Sequence, residues 1–442
     1  MRIQLSDHFT YRRLLRFVIS PILMMVCTSM YSIVDGIFVS NFVGKTPFAS
    51  VNLIMPIMMG VACIGFMFGT GGSAIVAKTL GEGKPEQANR YFSMLIMATA
   101  VLGLCFSCLG FLLIRRVSMV LGAEGELLEN CVIYGRILFA AEPFFILQNT
   151  FQNFFATAEK PGMSLKVSLA AGLTNFALDF LFIVVFHWGI AGAALATALG
   201  QVVGAVLPLI YFSRKNTSLL KLGKTRFYGW VLRKTCTNGS SEMVTNLAMS
   251  IMNILYNFQL MRLAGENGVA AYGIIMYVNF VFTSVFLGYA IGSAPITSYN
   301  YGAANYLELR NMRRKSLALM GGGGVVMVFL AQTFAVPLVM IFASYDAELF
   351  AMTCHGFRLY SIAFMMMGIS IWASSFFTAL ENGLISAAIA FLRTIVFECG
   401  CILVLPYFLG LNGVWLSIVV AESMSVILSG TFLAAKKGKY HY

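Results

Sequence analysis

The sequence predicts an all-α membrane protein: twelve transmembrane helices in two pseudo-symmetric six-helix lobes. Three observations predict this. Of the 442 residues, 59% are hydrophobic and only 11% charged, whereas charged residues make up about a quarter of a soluble globular domain. Apolar runs follow one another almost end to end, and about 20 such residues cross a bilayer. The chain also repeats itself at a displacement of about 221 residues. Phe154-Phe155-Ala156-Thr157-Ala158-Glu159 recurs as Phe376-Phe377-Thr378-Ala379-Leu380-Glu381, Gly189-Ile190-Ala191-Gly192 as Gly410-Leu411-Asn412-Gly413, and Gly81 as Gly302. An even number of helices per repeat makes the halves parallel, related by an axis along the membrane normal, with a substrate site expected between them.

In chain order, the spans are expected near 15–40, 48–77, 91–114, 130–157, 162–186 and 190–212, then 237–262, 268–299, 315–341, 350–379, 383–407 and 412–434. The first follows Arg12, Arg13 and Arg16 and runs past Asp35 with no small-residue cleavage site, so it reads as a span and not a leader. The second ends at the Gly81-Glu82-Gly83-Lys84 turn, and the third ends before Arg115-Arg116. The fourth carries Glu142-Pro143, and the fifth and sixth form the apolar stretch Ala171–Gly200. The ninth holds the run Gly321–Gly324, which lacks a following GK[ST] and is therefore no phosphate loop. Prolines at 21, 56, 143, 208, 295 and 406 are compatible with bent spans whose neighbours re-satisfy the freed backbone groups. Residues 1–212 form the first lobe, 213–236 a cytoplasmic linker and 237–442 the second lobe.

The net charge of +12 is distributed as an orientation signal and not as a nucleic-acid surface. Twenty-three of the 30 basic residues fall in alternate connections and the two ends, against four on the other side (Lys45, Arg115, Arg116 and Arg262). Both termini are therefore expected in the cytoplasm, and the protein in a plasma membrane with the lipid bilayer as its surroundings. The nine cysteines, including Cys105 and Cys108 of a CxxC, lie in apolar runs, and the four histidines are far apart. No metal-ligand cluster or cofactor motif results. With no nucleophile–base constellation and no nucleotide-binding module, neither an enzyme nor an ATP-driven pump is expected.

Polar residues inside the spans carry the functional reading. A carboxylate at mid-bilayer costs roughly 2.5–3.5 kcal/mol on insertion scales. Asp179 lies near the middle of the fifth span, with Asn175 one turn earlier on the same face and Thr197 in the next span. Asp35 follows Thr28, Tyr31 and Ser32 on a polar stripe of the first span. It reads either as an ion ligand or as a helix-end acid near the interface, since Asn41 and Lys45 follow. The repeat fails at both acids: Asp35 maps onto Tyr256 or Asn257, and Asp179 onto Gly400 or Cys401, with Glu398 two residues off. Acids kept in one lobe only point to an ion site there. If Asp35 and Asp179 meet, they titrate as a coupled pair and hold either H+ or Na+; the oxygen-only set Asp35, Asn175, Asp179 and Thr197 suits a hard cation.

Glu142 either binds a cationic substrate or pairs with a basic residue such as Arg136. Gln148, Asn149, Gln152 and Asn153 on the fourth span line a cavity or lie at the interface. Asn246, Ser250, Asn253 and Asn257 form a stripe on the seventh that is expected to face the other lobe. Arg358, Arg393, Glu398 and Glu422 read as structural pairs of the second lobe, and Glu159 and Glu381 as architectural. The 26 methionines and 38 phenylalanines offer a polarizable lining for apolar cations, though most must pack helices or face lipid.

Asn175-Phe176-Ala177-Leu178-Asp179 followed by Gly189-Ile190-Ala191-Gly192-Ala193-Ala194-Leu195-Ala196-Thr197 resembles the fifth and sixth helices of the multidrug and toxic compound extrusion (MATE) family, in its MepA-like bacterial branch. Asp35 and the Gly81–Lys84 turn fit the same pattern, and the resemblance covers the whole chain. It implies a V-shaped pair of lobes exporting small cationic amphiphiles by cation antiport, with Asp35, Asn175, Asp179 and Thr197 at the ion site; the chain is expected to act as a monomer. A glutamate on the seventh helix serves as an ion site in another branch, but Glu242 has no secure match to it, and the tenth span has no aspartate. The runner-up reading is a flippase for lipids or lipid-linked oligosaccharides of the same superfamily. That reading calls for a basic cavity, and only Arg136, Arg358 and Arg393 lie within spans.

Overall fold

A computed structural model describes residues 3–38, 42–343 and 346–442. Arg2, Asn41 and the side chains of Ser32 and Lys45 lie outside the described residues. Among the described residues there is no strand, and twelve helical spans follow in order. They are α1 (Tyr11–Phe38), α2 (Lys45–Gly81), α3 (Pro85–Val120), α4 (Gly125–Thr157), α5 (Pro161–Asp179, continued by the π-helix Phe180–Val185) and α6 (Gly189–Ser213). The next unbroken hydrogen-bonded run, Gly229–Gly302, holds both α7 and α8, since Gly265 at φ 62 and ψ −149 breaks it. The Tyr256 and Tyr272 rings stack at 4.7 Å, although sixteen residues of straight helix would hold them about 24 Å apart. The chain therefore doubles back at Gly265. Then come α9 (Tyr306–Ala343), α10 (Ala347–Tyr360, a 3-10 turn Ser361–Ala363, and Phe364–Ala379), α11 (Gly383–Phe391, a π-helix Leu392–Glu398, and Cys399–Leu409) and α12 (Leu411–Tyr440).

Most helices outrun the apolar cores that predict them, because polar residues extend both ends. The third span, expected over 91–114, runs from Pro85 to Val120. Likewise α7 begins at Gly229, inside the stretch read as linker. The remaining connection is not free: Lys221 N donates to Asn89 Oδ1 at 2.6 Å, and Gly223 N to Ser93 Oγ at 3.0 Å. It is laced along α3.

The repeat survives in backbone detail. Glu159 and Glu381, which end the repeated six-residue motif, both adopt φ 57, and Gly189 and Gly410 adopt φ 56 and 57. A left-handed non-glycine residue is uncommon, so its recurrence at matching turns marks one turn built twice. The lobes meet with the same symmetry. A Cβ on Gly81 would overlap the carbonyl oxygen of Tyr299, and one on Gly302 that of Lys78. These four residues form two pairs related by the repeat displacement. Further in, Gly71 of α2 packs on Gly239 of α7, and Gly292 of α8 on Val18 of α1.

All these contacts lie in the helix halves nearest one face, which also carries the turns rich in Lys and Arg. Lys78 Nζ bridges the lobes to Glu381 at 2.9 Å there. The N-terminal segment spans the same seam: Leu5 N donates to Glu159 Oε1 at 2.8 Å, and Phe9 N to Glu308 Oε1 at 3.0 Å. In the opposite halves of α2, α7 and α8, Met59, Ile254 and Tyr277 are exposed.

Candidate functional site

The polar cluster of the first lobe assembles where α1, α4, α5 and α6 converge. Asp179 is the last α-helical residue of α5 and is 1% exposed; the chain then widens into the π-helix Phe180–Val185. Such π segments frequently occur at functional sites. Asp179 lies eighteen residues beyond Pro161, about 27 Å along the axis. It therefore sits toward the far end of the span and not near the middle, although the span, Pro161 to Val185, has nearly the bounds expected from the apolar run.

Asp35 of α1 meets Asp179 within hydrogen-bonding reach, and both reach the Asn175 side chain. Asn175 also approaches Thr197 of α6, Nδ2 to Oγ1 being 3.5 Å. Two glycines permit this convergence. A Cβ on Gly200 would lie 3.0 Å from Cβ of Asn175, and one on Gly172 2.9 Å from the Tyr31 ring. The structure thus brings together the four residues singled out from sequence. Thr28 donates to the Met24 carbonyl at 2.9 Å and is hydrogen-bonded to Tyr31, whose ring lies beside Asp35.

The cluster has a member that sequence did not single out. Tyr134 of α4, 1% exposed, lies within electrostatic range of both acids. Nothing in a mid-helix tyrosine flanked by apolar residues distinguishes it from packing, so no sequence signal could have found it.

Two carboxyl groups packed together carry mutual repulsion unless a cation lies between them or a proton is shared. One oxygen of each, Oδ1 of Asp35 and Oδ1 of Asp179, is buried with no hydrogen-bond partner. Buried polar atoms are rarely left so. The donor set, carboxylate with amide and hydroxyl oxygen, fits H+ or a hard monovalent cation.

The other polar candidates separate by position. Glu142 is fully buried with both carboxyl oxygens unpartnered, while Arg136 is exposed and lies over the Phe111 ring at 5.4 Å. The Glu142–Arg136 pairing considered from sequence is therefore not formed. Gln148, Gln152 and Asn153 are buried inside the first lobe: Gln148 packs on Gly204 of α6, Gln152 reaches Ser168 Oγ at 3.4 Å, and Asn153 packs on Gly69 of α2. They knit α4 to its neighbours. Asn253 and Asn257 of α7 are exposed, Asn253 Oδ1 accepting from Tyr272 Oη at 3.3 Å.

In the second lobe, Arg393 binds Glu422 through Nε at 2.7 Å and through its terminal nitrogen at 2.6 Å, and both side chains are largely buried. Arg358, read as a member of the same pairs, is exposed, with no ion pair among the described residues. Removing one partner of a buried ion pair strands the other. Arg393→Met is therefore expected to destabilise the protein by about 3–5 kcal/mol, and Arg393→Met/Glu422→Leu by distinctly less. Thermal melting of detergent-purified variants checks the difference.

A family model described as MatE matches residues 21–181 and 243–400, one segment in each lobe. The chain belongs to the MATE family. It is 24% identical over 417 residues to the multidrug export protein MepA of Staphylococcus saprophyticus, covering 91% of this chain and 90% of that one. It is 22% identical over 420 residues to MepA of Staphylococcus aureus strain MRSA252, covering 94% and 92%. Among solved structures, a MATE protein crystallised with MaL6 superposes with a TM-score of 0.93 at 22% identity, over 97% of this chain and 96% of that one. A multidrug resistance MATE transporter in an outward-facing conformation gives 0.92 at 22% identity over the same shares. The two superpositions show a shared fold over nearly the whole chain.

Proposed function

We propose that this MATE protein is a multi-pass exporter of small cationic amphiphiles in a bacterial plasma membrane, driven by inward flow of H+ or Na+ through Asp35 and Asp179. The observation that carries the reading is the buried meeting of these two carboxylates, each with an orphaned oxygen, in one lobe of a two-lobe membrane protein. The names of the MepA relatives support the substrate class.

Alternating access follows from the seam between the lobes. With the basic face and both termini in the cytoplasm, the conformation described is closed on the cytoplasmic side by the Gly81/Gly302 contacts and the Lys78–Glu381 pair. The ion site lies toward the outer side. A cation entering there replaces the cargo; the lobes then rock, and the seam opens inward. Such an ion drives the cycle only if it binds the two conformations unequally. Asn253 and Asn257 face the space between the lobes in this scheme, with Glu142 behind the wall. A flippase would need free cationic side chains within the spans. Arg393 is held by Glu422 and Arg136 lies over Phe111, which leaves Arg358 as the in-span arginine with neither partner among the described residues. A single such side chain does not make a basic cavity, and this weighs against that reading.

The test uses everted membrane vesicles carrying the protein. A lumen made acid or loaded with Na+ should drive accumulation of a cationic dye, and the effective gradient names the ion. Movement of labelled lipid with no dye accumulation under either gradient would sink the exporter reading.

A further inference from the structure

Outside the transport pathway, the strongest unassigned feature is a cavity of about 610 Å³ on the basic face. It lies in the second lobe, where α7 and α11 begin and the C-terminal end of α12 returns beside them. Three cationic side chains, Arg233, Lys234 and Lys439, line it against one carboxylate, Glu381. That carboxylate is already engaged from outside the cavity by Lys78 at 2.9 Å, and Lys234 reaches it only at 4.0 Å. Arg233 has no ion-pair partner among the described residues, and Lys439 rests over the Tyr440 ring at 5.4 Å.

The floor adds donors. Asn382 caps α11 by accepting from Ile385 N at 3.3 Å, and the first residues of that helix, Gly383 and Leu384, line the cavity, which places the positive end of the helix start there. The rim is apolar. Leu384 is 81% exposed and Trp230 57% exposed, and Phe391, two turns along α11, continues the same outward stripe. A surplus of positive charge, a helix start and a greasy edge where two spans enter the bilayer suit a ligand that is phosphate at one end and hydrocarbon at the other.

We propose that this cavity binds the headgroup phosphate of an anionic phospholipid from the adjacent leaflet, its acyl chains lying along Leu384 and Phe391. The phosphate sits among Arg233, Lys234 and Lys439, and Trp230 flanks the glycerol at the interface, where tryptophan is enriched. Of this lining the transport reading uses only Glu381, as the partner of Lys78, and the lipid is a resident partner, not cargo.

The experiment is native mass spectrometry of the full-length protein purified from mixed phosphatidylglycerol and phosphatidylcholine micelles. Wild type should retain one phosphatidylglycerol more strongly than any phosphatidylcholine. Arg233→Gln/Lys439→Gln should lower that retention about thirtyfold, the value of two juxtamembrane charges. Lys436→Gln/Lys437→Gln, on the same terminus but off the cavity lining, should keep it. Equal retention by wild type and the cavity variant overturns the site. Displacement of the lipid by inorganic phosphate at matched concentration would reassign the cavity to a soluble anion and overturn the lipid. Fluorescence keeps the idea testable if the charge variant does not fold: phosphatidylglycerol brominated on its acyl chains should quench wild type more than Trp230→Phe, and equal quenching again overturns it.

Discussion

Asp179→Asn is expected to abolish gradient-driven export while leaving the protein folded, inserted and at least as stable as wild type. The two halves of this expectation share one cause. Asp179 is 1% exposed and faces Asp35, and each carries a buried oxygen without a hydrogen-bond partner. Burying charge beside like charge opposes folding. An amide of the same shape removes that opposition, so the melting temperature in cation-free buffer should hold or rise. The same change leaves one carboxylate to hold the ion. Taking a two-state equilibrium from 1:99 to 99:1 requires about a 10,000-fold difference in ion affinity between the states, and losing one of two charged ligands removes most of it. Asp35→Asn should behave alike. Asn175→Ala removes an uncharged partner and should slow export about tenfold, in line with one hydrogen bond to a charged group. Dye accumulation in everted vesicles, read beside melting curves, separates the cases. Gradient-driven accumulation persisting in Asp179→Asn would sink the assignment.

The parts of this site legible in sequence were those whose chemistry is out of place in lipid. Asp179, Asn175 and Asp35 stand out because an apolar run has no use for a carboxylate. Thr197 reads as relevant through its place in the next span and through the family resemblance, whose sixth-helix motif ends on it. Tyr134 does not stand out, since a tyrosine serves packing equally well and only the fold brings it within electrostatic range of the acids. The repeat gave the number of helices, and even matched turns, because the same backbone demand at Glu159 and Glu381 is met by the same residue. What one-dimensional pattern could not supply is partnership across the lobes. Glu381 reads as architectural, yet its partner Lys78 is some three hundred residues away. Gln148, Gln152 and Asn153 are the converse case: polar side chains on an apolar helix read as cavity lining or interface, and in the fold they pack against α6, α5 and α2.

The seam between the lobes yields the second large expectation. At Gly81 and Gly302 each lobe presses its backbone against a carbonyl of the other, leaving no room for a Cβ. Neither carbonyl belongs to a flexible side chain, so the added atoms can be relieved only by moving the lobes. Gly81→Leu should therefore penalise the conformation closed at the basic face and leave the open one nearly untouched. Overpacking costs about 1–3 kcal/mol, which shifts a two-state population about 5- to 150-fold. Spin labels on Glu86→Cys and Leu307→Cys, repeat-related positions on α3 and α9 at that face, in a background without the native cysteines, should report a new longer distance. Gly322→Leu is the control, since a Cβ there meets nothing within 4 Å, and its distances should match wild type. Export should slow in Gly81→Leu because one end of the cycle is harder to reach, whereas Asp179→Asn leaves both ends reachable and removes the drive between them. A Gly81→Leu protein that folds and keeps the wild-type distance distribution would mean that these glycines do not hold the lobes together.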